Sequence, residues 1–238
     1  MGKQFEIVRE ADVDSTPQEV FDAFTTGMAG WLWPSEFEPR EGGKAAMGGT
    51  VTVWNPPHHF VTRMEGPDGW FNQLENKIEA RDGGLTHYRY VHSGVFVEDW
   101  ENQYDGADKH TDFYQHTFRQ YLKHFSRRPA AFAEARGPDA AEAADAMDTL
   151  RAALGIDAGV AQDDTIKVTL PLVGSQEVVV DYLNPHFIGV RSGDAMYRFF
   201  GRNAFGDRVG LTVHLFGEGA DAEQAGQAWQ SWLNEVYA

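Results

Sequence analysis

Cysteine is absent from this sequence of 238 residues. Disulfides, thiolate nucleophiles and thiolate metal sites are therefore excluded. Positive charge is also scarce, because 20 lysine and arginine residues face 36 aspartate and glutamate residues, for a formal net charge of −16. Phosphates of nucleic acids and anionic lipids repel such an acidic chain, so we expect no nucleic acid partner.

Long apolar runs are missing as well. No segment approaches the ~20 consecutive apolar residues that a membrane-spanning helix needs, so we expect no membrane span. The first residues, MGKQFEIVRE, lack the apolar core of a signal peptide, which makes the cytoplasm the expected location. Core-forming residues are plentiful, since 42% of the residues are hydrophobic and 13% are aromatic.

An aromatic stretch near the middle of the chain organises the predicted fold. Between Thr111 and Arg128, apolar side chains recur at helical spacing and define one wide face of a helix. That face consists of Tyr114, Phe118, Tyr121, Leu122 and Phe125. Thr111 or Asp112 is expected to cap the helix start, and Pro129 to limit its end. The polar residues 98–109 are predicted to form a loop before it.

The residues before this helix are typical of strands separated by turns. A short helix is predicted first, with Ser15 or Thr16 as its cap and Pro17 at its first position, and Glu19 follows Thr16 by three residues as in a capping box. Strands are predicted at residues 5–13, 50–54, 60–64, 70–80 and 85–96. The predicted fold is α+β, with an antiparallel curved sheet wrapped around the long helix.

The second half of the chain repeats this plan in outline. Residues 140–154 predict a helix, five strands are predicted between residues 165 and 216, and residues 221–236 predict a closing helix. We therefore predict two domains, residues 1–136 and residues 137–238, the second a smaller α+β unit packed on the first. It is short and is expected to be incomplete alone.

Four short motifs occur in an order that resembles a known superfamily. They are DSTPQEVFDAF (residues 14–24), GWLWP (30–34), EPREGG (38–43) and QYLKHF (120–125). The chain resembles the START-like helix-grip superfamily, called SRPBCC, and within it the branch named for the activator of the heat shock protein 90 ATPase. The resemblance covers about half of the chain and implies a hydrophobic cavity between the sheet and the long helix. Members bind lipids, sterols, polyketides or other apolar molecules, and a minority catalyse cyclisation or hydration.

Aromatic side chains supply the expected walls of that cavity. The expected ligand-binding residues are Trp31, Trp33, Trp54, Trp70, Tyr88, Tyr90, His92, Tyr114 and Phe118. Aromatic walls with a few polar groups are typical of pockets for small molecules. The alternative is that these rings only fill a large core, since buried aromatic residues dominate core energetics in any case.

His92 is the candidate for acid–base chemistry. It shares one strand face with Tyr88 and Tyr90, and an imidazole at the end of an aromatic pocket would exchange protons near neutral pH. The alternative is a hydrogen-bonded structural histidine. The helical i, i+4 histidine pair that binds zinc is missing, so no metal site and no cofactor are predicted.

Three functions compete on this evidence. The first is non-enzymatic binding of a small hydrophobic molecule in the cavity, or a stress-related accessory role. The second is an enzyme of the cyclase or hydratase type, with His92 as general base. The third is a protein–protein module such as a chaperone regulator, which leaves a protein partner or a homo-oligomer open.

Overall fold

The computed structural model describes residues 2–97 and 99–238. It is an α+β structure with two antiparallel sheets, so the predicted fold class is confirmed. The chain divides into two compact units, Met1–Arg127 and Arg128–Ala238. None of the helices within the described residues is both long enough and apolar enough to cross a membrane.

The first unit contains a five-stranded sheet. Its strands are β1 (Lys3–Val13), β2 (Thr50–Asn55), β3 (His59–Glu65), β4 (Phe71–Ala80) and β5 (Thr86–Phe96). They pair antiparallel in the order β1-β5-β4-β3-β2. The structure confirms the predicted strands with small shifts at their ends, because alternation and turn residues mark strands well.

Helix α1 (Pro17–Phe24) begins at the predicted capping box. The Glu19 amide donates to the Thr16 hydroxyl at 3.2 Å, and the Thr16 amide donates to the Glu19 carboxylate at 2.9 Å. Two of the free amides at the helix start are thereby satisfied. The helix buries Phe21 and Phe24, which places both rings against the sheet side of the unit.

Helix α2 (Trp100–His124) is longer than predicted. Residues 100–109 are helical, and the prediction of a loop there is wrong. The Trp100 and Tyr104 rings, one turn apart, stack with centroids 4.8 Å apart, and the Lys3 ammonium lies 3.6 Å from the Trp100 ring centroid. These contacts anchor a polar stretch that has little apolar periodicity of its own.

The predicted cap of α2 is also wrong, because Thr111 and Asp112 lie inside the helix. Asp112 and Asp108 instead form ion pairs with Arg9 of β1, at 2.5 and 2.8 Å. The aromatic face is confirmed for Phe118, Tyr121, Leu122 and Phe125, which are buried, while Tyr114 is half-buried. The helix ends at His124, ahead of Pro129.

The second unit has a complete sheet of its own. Its elements are β6 (Ala131–Arg136), α3 (Ala146–Ala153), β7 (Thr165–Leu170), β8 (Gly174–Leu183), β9 (Phe187–Arg191), β10 (Ala195–Phe200), β11 (Gly210–Leu215) and α4 (Ala222–Val236). The strand order is β6-β11-β10-β9-β8-β7. In both units the first strand pairs with the last one, and the remaining strands follow as a meander. The two units therefore share one plan, and the second has one more strand than the first.

Strand β6 accounts for the difference between the predicted and observed division of the chain. It pairs along its whole length with β11, from Ala131↔Leu215 to Arg136↔Gly210, and so belongs to the second sheet. The predicted boundary at residues 136 and 137 falls after this strand. The second unit also holds a contiguous buried core that includes Leu150, Phe199 and Trp229.

Candidate functional site

A cavity of ≈100 Å³ lies in the first unit, between β3, β4 and β5 on one side and α1, α2 and the α1–β2 segment on the other. Six aromatic side chains form part of its wall: Phe24, Trp31, Phe37, Phe60, Tyr90 and Tyr114. Three methionines and four other non-aromatic residues complete the apolar wall: Met28, Leu32, Ala46, Met47, Gly49, Met64 and Leu74. The polar lining residues are Thr62, Arg63, Asn72, Asn76 and Gln115.

Strand β4 places two carboxamides on the cavity side of the sheet. Asn72, Leu74 and Asn76 alternate along the strand and therefore share one face. Asn76 lies directly opposite Tyr90 on β5 and Phe60 on β3, so an amide sits between two aromatic residues in one cross-strand row. This inward placement runs against the usual polar-out pattern of a strand whose other face is solvated.

Two amide oxygens at the cavity lack hydrogen-bond partners. Asn76 and Gln115 are each 2% exposed, and neither Asn76 Oδ1 nor Gln115 Oε1 has a partner among the described residues. A buried polar atom left in this state costs about 1–3 kcal/mol. Such atoms are ordinarily satisfied, so these two oxygens, which are closed to solvent, are an unusual feature of the interior beside the cavity.

His92 lies behind the cavity wall rather than in it. Its Nε2 is 2.8 Å from Asn72 Nδ2, and its ring meets the edge of the Phe5 ring with centroids 5.0 Å apart. Burial lowers the pKa of His92 to about 4, so the imidazole is neutral at physiological pH. A base this weak is poorly matched to proton transfer near pH 7. These contacts are those of a structural histidine that orients Asn72.

Tyr90, one of the two tyrosines at the cavity, keeps its phenolic proton. Burial raises the pKa of Tyr90 far above its usual value, and the neighbouring Tyr114 raises it further. Tyr114 also packs edge-on against Trp33, with ring centroids 5.4 Å apart. The Tyr90 phenol is therefore not available as a base, and both tyrosines contribute ring surface to the wall.

Three of the nine predicted ligand-binding residues line the cavity, namely Trp31, Tyr90 and Tyr114. Tyr88 and Phe118 are fully buried behind the wall, where both contact Phe24.

The remaining predicted residues lie outside the lining as well. Trp33 contacts Tyr114, Trp54 packs against the Phe21 and Phe37 rings, and His92 reaches the wall only through Asn72. Trp70 lies beside Gly66, at the turn before β4.

Sequence reasoning missed the amide residues Asn72, Asn76 and Gln115. A signal for two of them was present, because Asn72 and Asn76 share the alternation phase of Leu74 and Ile78, which are apolar. A polar residue at an inward position of a strand has no packing purpose and indicates a site. Gln115 gave no comparable signal, since it lies beside Tyr114 at the edge of the aromatic face.

The cavity reaches the surface near Met47 and Arg63. Met47 is 84% exposed and has a left-handed backbone with φ of 58°. Arg63 is held at this edge by Glu65 at 2.7 Å and by Gln73 at 3.1 Å, with its guanidinium 4.0 Å from the Phe71 ring centroid. Arg63 is the one charged residue of the described lining.

In the second unit, the space between the sheet and α4 is filled by rings. Trp229 is 2% exposed and packs against Tyr197, Phe199 and Trp232, with ring centroids 5.3, 5.9 and 5.3 Å away. A packed interior of this kind serves stability. The candidate site therefore belongs to the first unit.

No protein-family model matches the chain, and comparison with curated proteins finds no relative. Solved structures share the fold at low identity. The Aha1 dimer from Colwellia psychrerythraea is 15% identical and covers 50% of this chain and 96% of its own, with a TM-score of 0.41. An HSP90 activator from Plasmodium falciparum is 19% identical. It covers 51% of this chain and 97% of its own, with a TM-score of 0.39.

A further similar structure extends over both units. DynU16, assigned to the dynemicin biosynthetic locus, is 11% identical and covers 98% of this chain and 95% of its own, with a TM-score of 0.38. At these identities the likeness concerns the fold.

Proposed function

We propose that the first unit binds a small, mostly apolar molecule in the cavity between its sheet and α2, without changing it chemically. The observation that carries this proposal is the combination of an aromatic wall with the carboxamide residues Asn72, Asn76 and Gln115 in the same lining. Apolar walls with a few convergent polar groups are the usual chemistry of small-molecule sites. The rings provide binding surface, and the amides provide orientation.

The size of the cavity limits what it holds. Its ≈100 Å³ is below the roughly 300–1,000 Å³ of pockets that enclose drug-sized ligands, and close to the ~150 Å³ apolar cavity that takes benzene. The occupant is a single small ring, or the end group of a longer molecule that leaves past Met47. Met28, Met47 and Met64 belong to the wall, and flexible thioethers adapt to guests of different shape.

The state of the polar groups supports binding without a chemical step. His92 faces Asn72 and is a weak base, and burial keeps the Tyr90 phenol protonated. The five polar lining residues include no carboxylate and no histidine. Within the described lining, the side chains suit holding and orienting a guest better than acid–base catalysis.

Native mass spectrometry of the freshly purified protein tests this proposal. We expect a bound mass that is lost in Leu74→Phe, because the larger side chain occupies the cavity from β4. Leu85→Phe is the matched control, since it makes the same change at an exposed position. A folded wild-type protein that carries no guest and binds no small aromatic probe would overturn the proposal.

A further inference from the structure

The geometry points to a ligand class for this cavity, an inference that rests on the proposed function: a neutral, mostly apolar molecule whose polar end is a hydrogen-bond acceptor, such as a carbonyl, ether or nitrile group. The decisive groups are the amide nitrogens of Asn76 and Gln115, two residues of the lining. A primary amide nitrogen donates two hydrogen bonds and accepts none. A guest with an acceptor satisfies these N–H groups, and a hydrocarbon does not.

The two amides are open on their nitrogen side. Their oxygens are closed off by the surrounding protein, whereas neither Asn76 Nδ2 nor Gln115 Nε2 is closed off or hydrogen-bonded within the described residues. Each residue lines the cavity and is only 2% exposed, so the open side of its amide faces the cavity. The cavity therefore offers N–H donors from the sheet, through β4, and from the helix side, through α2.

The Tyr90 hydroxyl is a further donor. Burial raises the pKa of Tyr90 far above its usual value, so the phenol keeps a proton to donate. Tyr90 lies directly opposite Asn76 in the sheet, which puts both groups in one cross-strand row. Asn72 offers less, because its Nδ2 already lies 2.8 Å from His92 Nε2. The donor set of the cavity is therefore Asn76, Gln115 and Tyr90.

The charge of the wall favours a neutral guest. The described lining contains no aspartate or glutamate, so a cationic guest would lose its hydration without gaining an anionic partner. An anionic guest would find N–H donors but no free positive charge, because Glu65 and Gln73 already hold the Arg63 guanidinium at the cavity edge. A buried anion without a countercharge is costly. A neutral acceptor gains the hydrogen bonds without that cost.

Water is the competitor that makes the acceptor necessary. Water molecules in a polar cavity of ≈100 Å³ would accept from the amide nitrogens. A hydrocarbon that displaces them leaves the N–H groups without acceptors and loses affinity, whereas a carbonyl or nitrile replaces at least one of the lost hydrogen bonds. Selectivity therefore arises from the cost of unsatisfied donors as much as from the new bond.

Calorimetric titration with benzonitrile, phenylacetylene and benzoate tests the inference. The first two have nearly the same linear shape, but the nitrile ends in an acceptor and the alkyne ends in C–H, while benzoate adds a negative charge. We expect benzonitrile to bind on the order of tenfold more tightly than phenylacetylene, the scale of one neutral hydrogen bond, and more tightly than benzoate. Equal or tighter binding of phenylacetylene would overturn the acceptor requirement, and tighter binding of benzoate would overturn the neutral guest. Both results leave the proposed function standing, whereas no binding of any probe would overturn it as well.

The double variant Asn76→Leu/Gln115→Met assigns the effect to the two amides. It keeps side-chain volume and removes both donors, so we expect the preference for benzonitrile to fall to about unity or to reverse. Each single variant should lower the preference part of the way, which keeps the test open if the double variant does not fold. Asn102→Leu/Gln18→Met is the matched control, since it makes the same two changes at exposed positions of α2 and α1 and should leave the preference intact. A full preference in the folded double variant, or in both single variants, would show that other atoms select the guest.

Discussion

The Phe24 ring of α1 lies flat against the Phe118 ring of α2, with centroids 3.8 Å apart and planes 19° apart. Tyr88 of β5 meets the edge of the same Phe118 ring at 5.3 Å, so one side chain joins both helices to the sheet. Phe118 is fully buried. Phe118 therefore lies at the centre of a cluster of rings, which includes Trp31, behind the cavity wall.

We expect Phe118→Ala to lower the free energy of unfolding of the first unit by about 3–5 kcal/mol, because it removes a buried ring and leaves a void. Phe118→Leu retains most of the apolar volume and is expected to lose less. Urea unfolding followed by tryptophan fluorescence measures both. A loss below about 1 kcal/mol in Phe118→Ala would contradict the joining role.

The stability of the first unit should fall in mild acid because of His92. Burial depresses the folded-state pKa of His92 to about 4, below the ~6.5 of the unfolded chain, so the unfolded state takes up the proton first. Stability is therefore full above pH 6.5 and falls by up to about 3 kcal/mol as the pH drops to 4. Chemical unfolding at a series of pH values measures the slope. His92→Gln should flatten that part of the curve, and an unchanged slope in the variant would rule His92 out as its source.

Gly94→Ala should destabilise the first unit. A methyl group at Gly94 would lie 2.5 Å from the Phe71 carbonyl oxygen and 2.8 Å from the Phe5 ring, and backbone cannot move aside cheaply. We expect a loss of about 1–3 kcal/mol, as for other overpacked sites. Gly193→Ala is the matched control, because a methyl group there meets no atom within 4 Å. Equal melting temperatures for the two variants would refute the close approach.

A buried ion pair should make the second unit sensitive to substitution at Asp181. Arg198 Nη2 donates to Asp181 Oδ2 at 3.1 Å, both side chains are 1% exposed, and burial lowers the pKa of Arg198. Asp181→Ala leaves the guanidinium without this partner and should cost about 3–5 kcal/mol. Asp181→Leu/Arg198→Met should recover much of that loss, since it removes both charges. A double variant no more stable than Asp181→Ala would argue against a charge effect.

Much of the fold could be predicted because its signals are local. Alternation marked β2 to β5, and Thr16, Pro17 and Glu19 fixed the start of α1. Strand β6 was missed because Ala131–Arg136 is rich in alanine, which has low strand propensity, and only its pairing with β11 makes it a strand. The first ten residues of α2 were missed for a related reason, since contacts with Lys3 and Arg9 of β1 support them.

The candidate site was harder to predict because it depends on which residues meet across strands. Tyr90 and Tyr114 were found from their aromatic character, but so were Trp54 and Trp70, which pack elsewhere. The register that sets Asn76 between Tyr90 and Phe60 cannot be derived from either strand alone. Polar residues in the interior were the better guide, because alternation places Asn72 and Asn76 on the inward face with Leu74.

The order of strands in each sheet sets the order in which the chain can fold. β1 pairs with β5 from Lys3↔Phe96 to Val13↔Thr86, so the first strand has no sheet partner until nearly the whole first unit has been synthesised. Contacts between residues so distant in sequence make folding slow and expose strand edges on the ribosome. A nascent chain that stops short of β5 carries β1 as an unpaired ribbon, and the first unit can close only when its last strand emerges.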